Sequence, residues 1–329
     1  MKKSKIFEPL TPKKLKTYSL EERKSKVSRE DFARPWKPGS SFPAFLESLP
    51  NILAAQDLRS VMAAMLKARR GDKTLHWAMG AHVIKVGLNP ILIALMQQGF
   101  ISALSMNGAG IIHDTELAMV GRTSEDVDQE LGKGTFGMSQ ETASFLNESI
   151  KAGAKKGLGL GRAVGQALID GKFPFLSSSL LAEARRLDIP LTVHVAIGTD
   201  IIHLHPSMDA RATGQASYQD FQTFCAVVRT LEEGVFLNIG SAVVLPEVFL
   251  KAITLVRNLG FSLNRFTTVN MDFNRHYRPS TNVVHRPTQE GGKGYYLIGH
   301  HELMVPLLAA ALLEGWWSEK PKACQKSSK

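Results

Sequence analysis

A single lysine stands in a polar, glycine-flanked stretch near the C-terminus, Arg286-Pro287-Thr288-Gln289-Glu290-Gly291-Gly292-Lys293-Gly294. A lysine on a surface loop is solvated and inert. One held in a recess loses water, its amine becomes easier to deprotonate, and it can then add to a carbonyl to form an imine. The residues alone leave both readings open. A second cluster comprises His194, Asp200, His203 and His205, whose last two members form a His-x-His pair. On a strand, alternate residues share a face, so His203 and His205 could ligate a metal. The other reading is a strand end with one functional and one packed histidine, and no metal is expected. The run Gly157-Leu158-Gly159-Leu160-Gly161 invites comparison with a dinucleotide fingerprint. That fingerprint should follow a strand and open a helix. Here Lys151-Ala152-Gly153-Ala154-Lys155-Lys156 precedes it, so a loop or irregular helix is the expectation.

The elements around these residues alternate. A helix is expected over Leu53–Arg70, where apolar side chains recur at helical spacing, and another over Pro90–Gln98 with a stop at Gly99. Strands are expected at 74–81, 101–106, 190–196 and 234–239, with Phe266–Asn270 the last clear one. Helices are expected at 182–187, from about Pro246 to Asn258, and from about Glu302 onward. Strands separated by helices of about ten residues imply parallel pairing in a doubly wound, Rossmann-like α/β sheet with helices on both faces. Ligands of such sheets gather beyond the carboxyl ends of the strands. Those ends repeatedly carry small or polar residues: Gly80-Ala81-His82, Asn107-Gly108-Ala109-Gly110, Gly198 to Asp200, Gly240-Ser241 and Asn270-Met271-Asp272. Small residues allow close backbone approach, and exposed helix N–H groups favour phosphate. Five such turns suggest a nucleotide-sized ligand.

The formal charge of +10 is confined to the ends. Residues 1–40 hold 12 Lys/Arg against 5 Asp/Glu, residues 316–329 hold 4 against 1, and the remainder balances at 24 each. The expected organisation is therefore a basic arm over 1–40, a single α/β domain over 41–315 and a basic tail over 316–329. Without basic, aromatic-interleaved stretches in the body, nucleic acid is not an expected partner. Two cysteines, Cys225 and Cys324, exclude a disulfide framework. No stretch has the length of a membrane span, no secretory leader is evident, and a cytoplasmic location is expected.

Several strings, in order, resemble the deoxyhypusine synthase family across about residues 70–315. Gly80-Ala81-His82-Val83-Ile84-Lys85-Val86-Gly87 resembles its strand-end cofactor segment, and Asn107-Gly108-Ala109-Gly110 resembles its Thr-Ala-Gly-Gly turn. Thr199-Asp200-Ile201-Ile202-His203-Leu204-His205 is similar to its Gly-Asp-Met-Ile-Phe-Phe-His segment. Asn238-Ile239-Gly240-Ser241-Ala242-Val243-Val244 resembles its Gly-Gly-Gly-Val-Val turn, and Glu290 to Lys293 resembles the loop carrying its catalytic lysine. The resemblance implies an NAD-dependent transferase, assembled as a homotetramer (a dimer of dimers), that forms an imine between its own lysine and an amine-derived substrate such as spermidine. Lys293 would then be the nucleophile, His205 the histidine assisting amine oxidation, and Glu290 the loop's acid. NAD would lie against Ala81, His82, Asn107, Gly108, Ala109, Gly110, Asp200, Gly240, Ser241, Asn270, Asp272 and His300.

This chain departs from that pattern in its acids. Where the family has Gly-Gly-Val-Glu-Glu-Asp, it has Ala109-Gly110-Ile111-Ile112-His113-Asp114, and an acidic loop becomes Phe273-Asn274-Arg275-His276-Tyr277-Arg278. His113, Asp114, Arg275 and Arg278 are the expected substrate contacts, for a smaller amine or an anionic or neutral ligand. Two rival expectations are a non-catalytic ligand- or nucleotide-binding protein that retains the fold and a metal-dependent hydrolase using His203 and His205.

Overall fold

In a computed structural model, which describes residues 7–318, six strands form one wholly parallel sheet in the order β3-β2-β1-β4-β5-β6. They are β1 (Leu75–Met79), β2 (Ala103–Asn107), β3 (Leu191–His194), β4 (Val235–Ile239), β5 (Thr267–Asp272) and β6 (Lys293–Ile298). Strands β1 and β4 are buried at every position, as expected of parallel strands covered on both faces. The chain builds outward from β1 to β3, then returns to lay β4 on the other side of β1. That reversal is the doubly wound order in which a crevice opens between β1 and β4.

The labelled helices are α1 (Leu53–Arg70), α2 (Asn89–Gln97), α3 (Gly108–Val120), α4 (Gln140–Lys155), α5 (Leu160–Gly171), α6 (Leu180–Arg186), α7 (Ala210–Arg229), α8 (Val244–Asn258) and α9 (His301–Ser318). The expected helix at the start of the chain coincides with α1, and Gly99 ends the turn after α2 at a left-handed φ of 72°. Four labelled helices, α3 to α6, lie between β2 and β3; α3, α5 and α6 pack onto β2 and β3, and α4 packs against α3, α5 and α7. The glycine run at 157–161 is the turn joining α4 to α5, and Gly159 caps α5; it follows no strand.

Three placements differ from expectation. The strand read as the last, β5, has β6 beside it, paired from Thr267↔Lys293 to Asp272↔Ile298. The Gly-Gly-Lys-Gly run at 291–294 that leads into it masked an aromatic and β-branched core, Tyr295-Tyr296-Leu297-Ile298, which favours a strand. The His203-x-His205 pair sits on a one-turn helix and the turn after it, where alternate residues do not share a face. Helix α9 continues through residue 316 to Ser318, because Trp316 packs edge-on against Phe100 and under the guanidinium of Arg69. Residues 1–6 and 319–329, the latter including Cys324, lie outside the described residues. The described part of the arm has no strand. Arg59 of α1 fastens the segment that follows the arm by donating to the carbonyls of Leu46, Leu49 and Pro50. No helix among the described residues is long and apolar enough to cross a membrane.

Three buried polar assemblies fix the layers. Asp114 of α3, fully buried, accepts from Asn89 Nδ2, Ser179 Oγ and the backbone N–H groups of Leu180 and Leu181. Asp220 of α7 accepts through Oδ2 from the N–H groups of Gly161 and Val193, tying α5 and the outer edge of β3 to α7. Across β1, β2 and β3 runs a chain of hydrogen bonds, His76 Nε2 to Ser105 Oγ (2.7 Å), Ser105 Oγ to Thr192 Oγ1 (2.7 Å) and Thr192 Oγ1 to His194 Nε2 (3.0 Å). The rings of Phe224 and Phe236 seal it on one face.

Candidate functional site

The glycines at the carboxyl edge are there for contact. A Cβ on Gly80, after β1, would lie 2.3 Å from the carbonyl oxygen of Gly240, after β4. Gly240 itself holds φ 65° with the His301 ring against its open side. The two turns therefore meet backbone to backbone at the crevice where strand order reverses. Gly80→Ala should lower stability by about 3 kcal/mol or more, since a carbonyl at 2.3 Å belongs to main chain that can move only with β4. Urea unfolding measures it; a loss below 1 kcal/mol would mean that the two turns can separate.

One strand over, Asn107 closes β2 and caps α3, its Oδ1 accepting from Gly110 N–H at 3.2 Å. Gly108 leaves room for the carboxylate of Asp200, whose Oδ2 would sit 1.9 Å from a Cβ there. Asp200 Oδ2 is buried without a hydrogen-bond partner among the described residues, and burial raises its pKa to about 6. An unpartnered acid oxygen beside a helix N-terminus suits a hydroxyl donor next to an anion. The residues thus fit a dinucleotide: two strand-end turns that meet at Gly80 and Gly240 where the crevice opens, a helix N-terminus at Gly108, and an acid able to take a ribose hydroxyl.

A cavity of about 820 Å³ borders this edge, enclosed by α3, the loop after it, the start of α4 and the turn at Thr199–Ile201. Its wall carries four carboxylates, Glu116, Glu125, Glu141 and Asp200, against the cations Lys85 and Arg122. His113 also lines it, neutral because burial and then the nearby charge of Lys85 lower its pKa to about 4.

The expected site residues divide. Ala81, His82, Asn107, Gly108, Ala109, Gly110, Asp200, Gly240, Ser241, Asp272 and His300 all occur at or just beyond the carboxyl ends of the strands. Asn270 is enclosed within β5 and accepts from Asn238 Nδ2 at 2.6 Å, so it serves the sheet instead of a cofactor. Ser241 is buried, with its Oγ accepting from Leu245 N–H. His300 is exposed and stacks on Phe273, while its neighbour His301 is the one buried beside Gly240.

The lysine is at the wrong edge. Lys293 is the first residue of β6, exposed, and lines a groove with Lys67 and Arg265. Ile298 lies five positions on, about 16 Å along an extended strand, at the edge that carries the glycine turns. Glu290, exposed in the turn before it, is at the same amino edge. His205 accepts from Ser207 N–H and pairs with its hydroxyl, on the turn leading to α7. Asp114 is consumed as a buried anchor and is not on the wall of the large cavity. Arg275 lies over the Tyr296 ring and Arg278 pairs with Glu247 at 3.5 Å. Of the four expected substrate contacts, His113 alone lines the large cavity. Among the described residues no group of three or more His, Cys, Asp or Glu is arranged to hold a metal.

Reading the sequence missed Lys85, Glu116, Arg122, Glu125 and Glu141 as cavity residues. Only Glu116 left a signal, being one helical turn from His113.

No protein-family model matches the chain, and no curated protein matches its sequence. Solved structures match in fold. Unliganded AgrE superposes with a TM-score of 0.52 at 18% identity, over 78% of this chain and 32% of that one. AgrE in ternary complex with ornithine and NAD+ gives 0.50 at 18%, over the same shares. A protein of Entamoeba histolytica assigned as a deoxyhypusine synthase gives 0.50 at 12%, over 86% of this chain and 96% of that one. The fold is that of the deoxyhypusine synthase-like proteins. The deoxyhypusine synthase-like fold spans nearly the whole of the Entamoeba protein, whereas this chain spans about a third of AgrE.

Proposed function

We propose that this chain is an NAD-dependent enzyme acting on a small amine-bearing substrate, with the dinucleotide laid across the carboxyl edge at β1 and β4 and the substrate in the adjoining cavity. The observation that carries this reading is the Gly80–Gly240 contact at the reversal of strand order, with the unpartnered Asp200 carboxylate beside α3. AgrE, of the same fold, has been crystallised with ornithine and NAD+. NAD, when bound, supplies a hydride acceptor. The protein's part is to orient the substrate beside it and exclude water. Asp200 and the Gly108 end of α3 hold the dinucleotide, and the acidic wall of the cavity receives an ammonium group.

An enzyme–lysine imine is not part of this reading, because Lys293 stands at the opposite edge. A binding protein without turnover is the second reading, and the same fact favours it, since the lysine of the glycine loop lines a groove away from the proposed ligand cavity. Thermal denaturation with NAD+ tests the first step. Saturation to about 100 Kd should stabilise the fold by about 2.7 kcal/mol, and Asp200→Ala should weaken this. No shift at millimolar NAD+ would overturn the dinucleotide site. Absorbance at 340 nm with spermidine or L-ornithine then separates turnover from binding.

Self-association as a homotetramer is part of the same proposal. Phe273, Tyr277, Ile298 and Leu303, exposed around the ends of β5 and β6, supply apolar surface for it, and sedimentation measures the assembly.

A further inference from the structure

On α3, His113 and Glu116 are one turn apart and share a face. Gly121 ends the helix at a left-handed φ of 70°, with the Phe175 ring against it, and the chain doubles back so that Thr123 meets both side chains. Hydroxyl protons then decide the direction of every bond. Thr123 has one proton and donates it to Glu116 Oε2 at 2.5 Å. Toward His113 Nδ1, 2.7 Å away, the same oxygen can therefore only accept, so Nδ1 carries the ring proton. The other oxygen, Glu116 Oε1, accepts from Thr142, whose hydroxyl in turn pairs with Ser139. Both oxygens of the carboxylate are engaged, and the imidazole is locked.

With Nδ1 protonated, Nε2 is a bare acceptor, and His113 lines the 820 Å³ cavity. We propose that Glu116 and Thr123 are positioning residues that hold His113 in its Nδ1–H tautomer, so that Nε2 accepts a hydrogen bond from the nitrogen of a ligand in the cavity. The second half rests on the function proposed above; the first stands on geometry alone. Charged groups that line the cavity with the ring are Lys85 after β1, Glu116 on α3, Arg122 and Glu125 on the loop, Glu141 on α4 and Asp200 before α7. A carboxylate at position 113 would attract any cation. A neutral acceptor discriminates by geometry, rewarding a donor nitrogen at one spot and penalising an acceptor there.

The experiment is 15N NMR of the full chain labelled at histidine, with His113 assigned through His113→Gln, joined to affinity measurements with spermidine and L-ornithine in the presence of NAD+. The wild type should give the Nδ1–H signature. Thr123→Val should release it toward Nε2–H and weaken the bound probe about tenfold, roughly the loss of one good hydrogen bond. Thr123→Ser should restore both. An Nε2–H signal in the wild type, or one that Thr123→Val leaves unchanged, would overturn the proposal. If the tautomer behaves as stated and Thr123→Val leaves probe affinity unchanged, the ligand contact fails. Absence of an NAD+ thermal shift with the expected tautomer sinks the proposed function and leaves the positioning pair standing.

Discussion

Replacing Asp114 with alanine should cost the fold about 3–5 kcal/mol, against a total that in proteins of this kind is only several times larger. The reason lies in what the carboxylate serves. It receives Asn89 Nδ2 at 3.0 Å, Ser179 Oγ at 2.6 Å, Leu180 N–H at 2.8 Å and Leu181 N–H at 3.0 Å, with no surface exposed. The last two are N-terminal amides of α6, which have no partner within their own helix. Asn89 begins α2, and its amide also donates to the carbonyl of Ser178. One side chain therefore joins α3, α2 and α6, and its loss strands four donors in apolar surroundings. Burial raises the pKa of this carboxyl despite those donors. Urea unfolding of Asp114→Ala and Asp114→Asn checks the claim. Asparagine should fall between, since it keeps one acceptor and sets an amide against the remaining donors. A loss under 1 kcal/mol for alanine would show that the pocket rehydrates freely.

The second large effect is a pH dependence. Asp220 is 2% exposed, and burial pushes its pKa up to about 7 from 3.8, against the pull of the N–H groups of Gly161, Val193 and Leu160. The folded value is the higher one. Between about pH 4 and pH 7 the folded chain thus holds a proton that the unfolded chain has released. Stability contributed by this group is complete below pH 4, declines as pH rises through that window, and levels off above pH 7. A displacement of this size corresponds to roughly 4 kcal/mol across the window. Asp220→Asn removes the titration while retaining an oxygen for Gly161 and Val193, so the variant should lack the decline. Urea midpoints at pH 5, 6, 7 and 8 for the two proteins, compared by difference, isolate this group from every other. Parallel profiles would mean that the carboxyl ionises in the folded state without penalty.

The sheet was legible because its strands are short apolar runs with small residues at one end, and that local pattern survives folding. The elements that were expected lie within one to three residues of their bounds, whereas the helices at 108–120, 140–155, 160–171 and 210–229 were not expected. Strand β6 was not legible: its first two residues, Lys293-Gly294, are of loop type, and only its partner β5 makes an extended conformation there worthwhile. That single omission moved Lys293 from a pocket to the far end of a strand. Asp114 misled for the opposite reason. An acid four residues beyond a glycine turn resembles a ligand contact, while its true partners at 179–181 are more than sixty residues away and invisible locally. The cavity wall is non-local as well. Glu125 and Glu141 belong to segments with ordinary solvated character until α4 folds back beside α3. His113 and, one helical turn on, Glu116 leave a trace in the sequence, but the Thr123 that joins them does not, because side-chain contacts across a chain reversal have no period.

The hydrogen-bonded line through His76, Ser105, Thr192 and His194 has three links but only two hydroxyl protons, so one imidazole must supply the third from its Nε2. The two rings cannot both donate, nor both accept: they are bound to opposite tautomers, and neither is charged, since burial lowers their pKa values to about 3 and 4. His76 Nδ1 is enclosed without a partner among the described residues, and a stranded lone pair is cheaper than a stranded N–H. His76 is thereby the ring protonated at Nε2 and His194 the one protonated at Nδ1. Three adjacent strands share a fixed polarity at right angles to their own direction, and reversing it means moving every proton on the line at once.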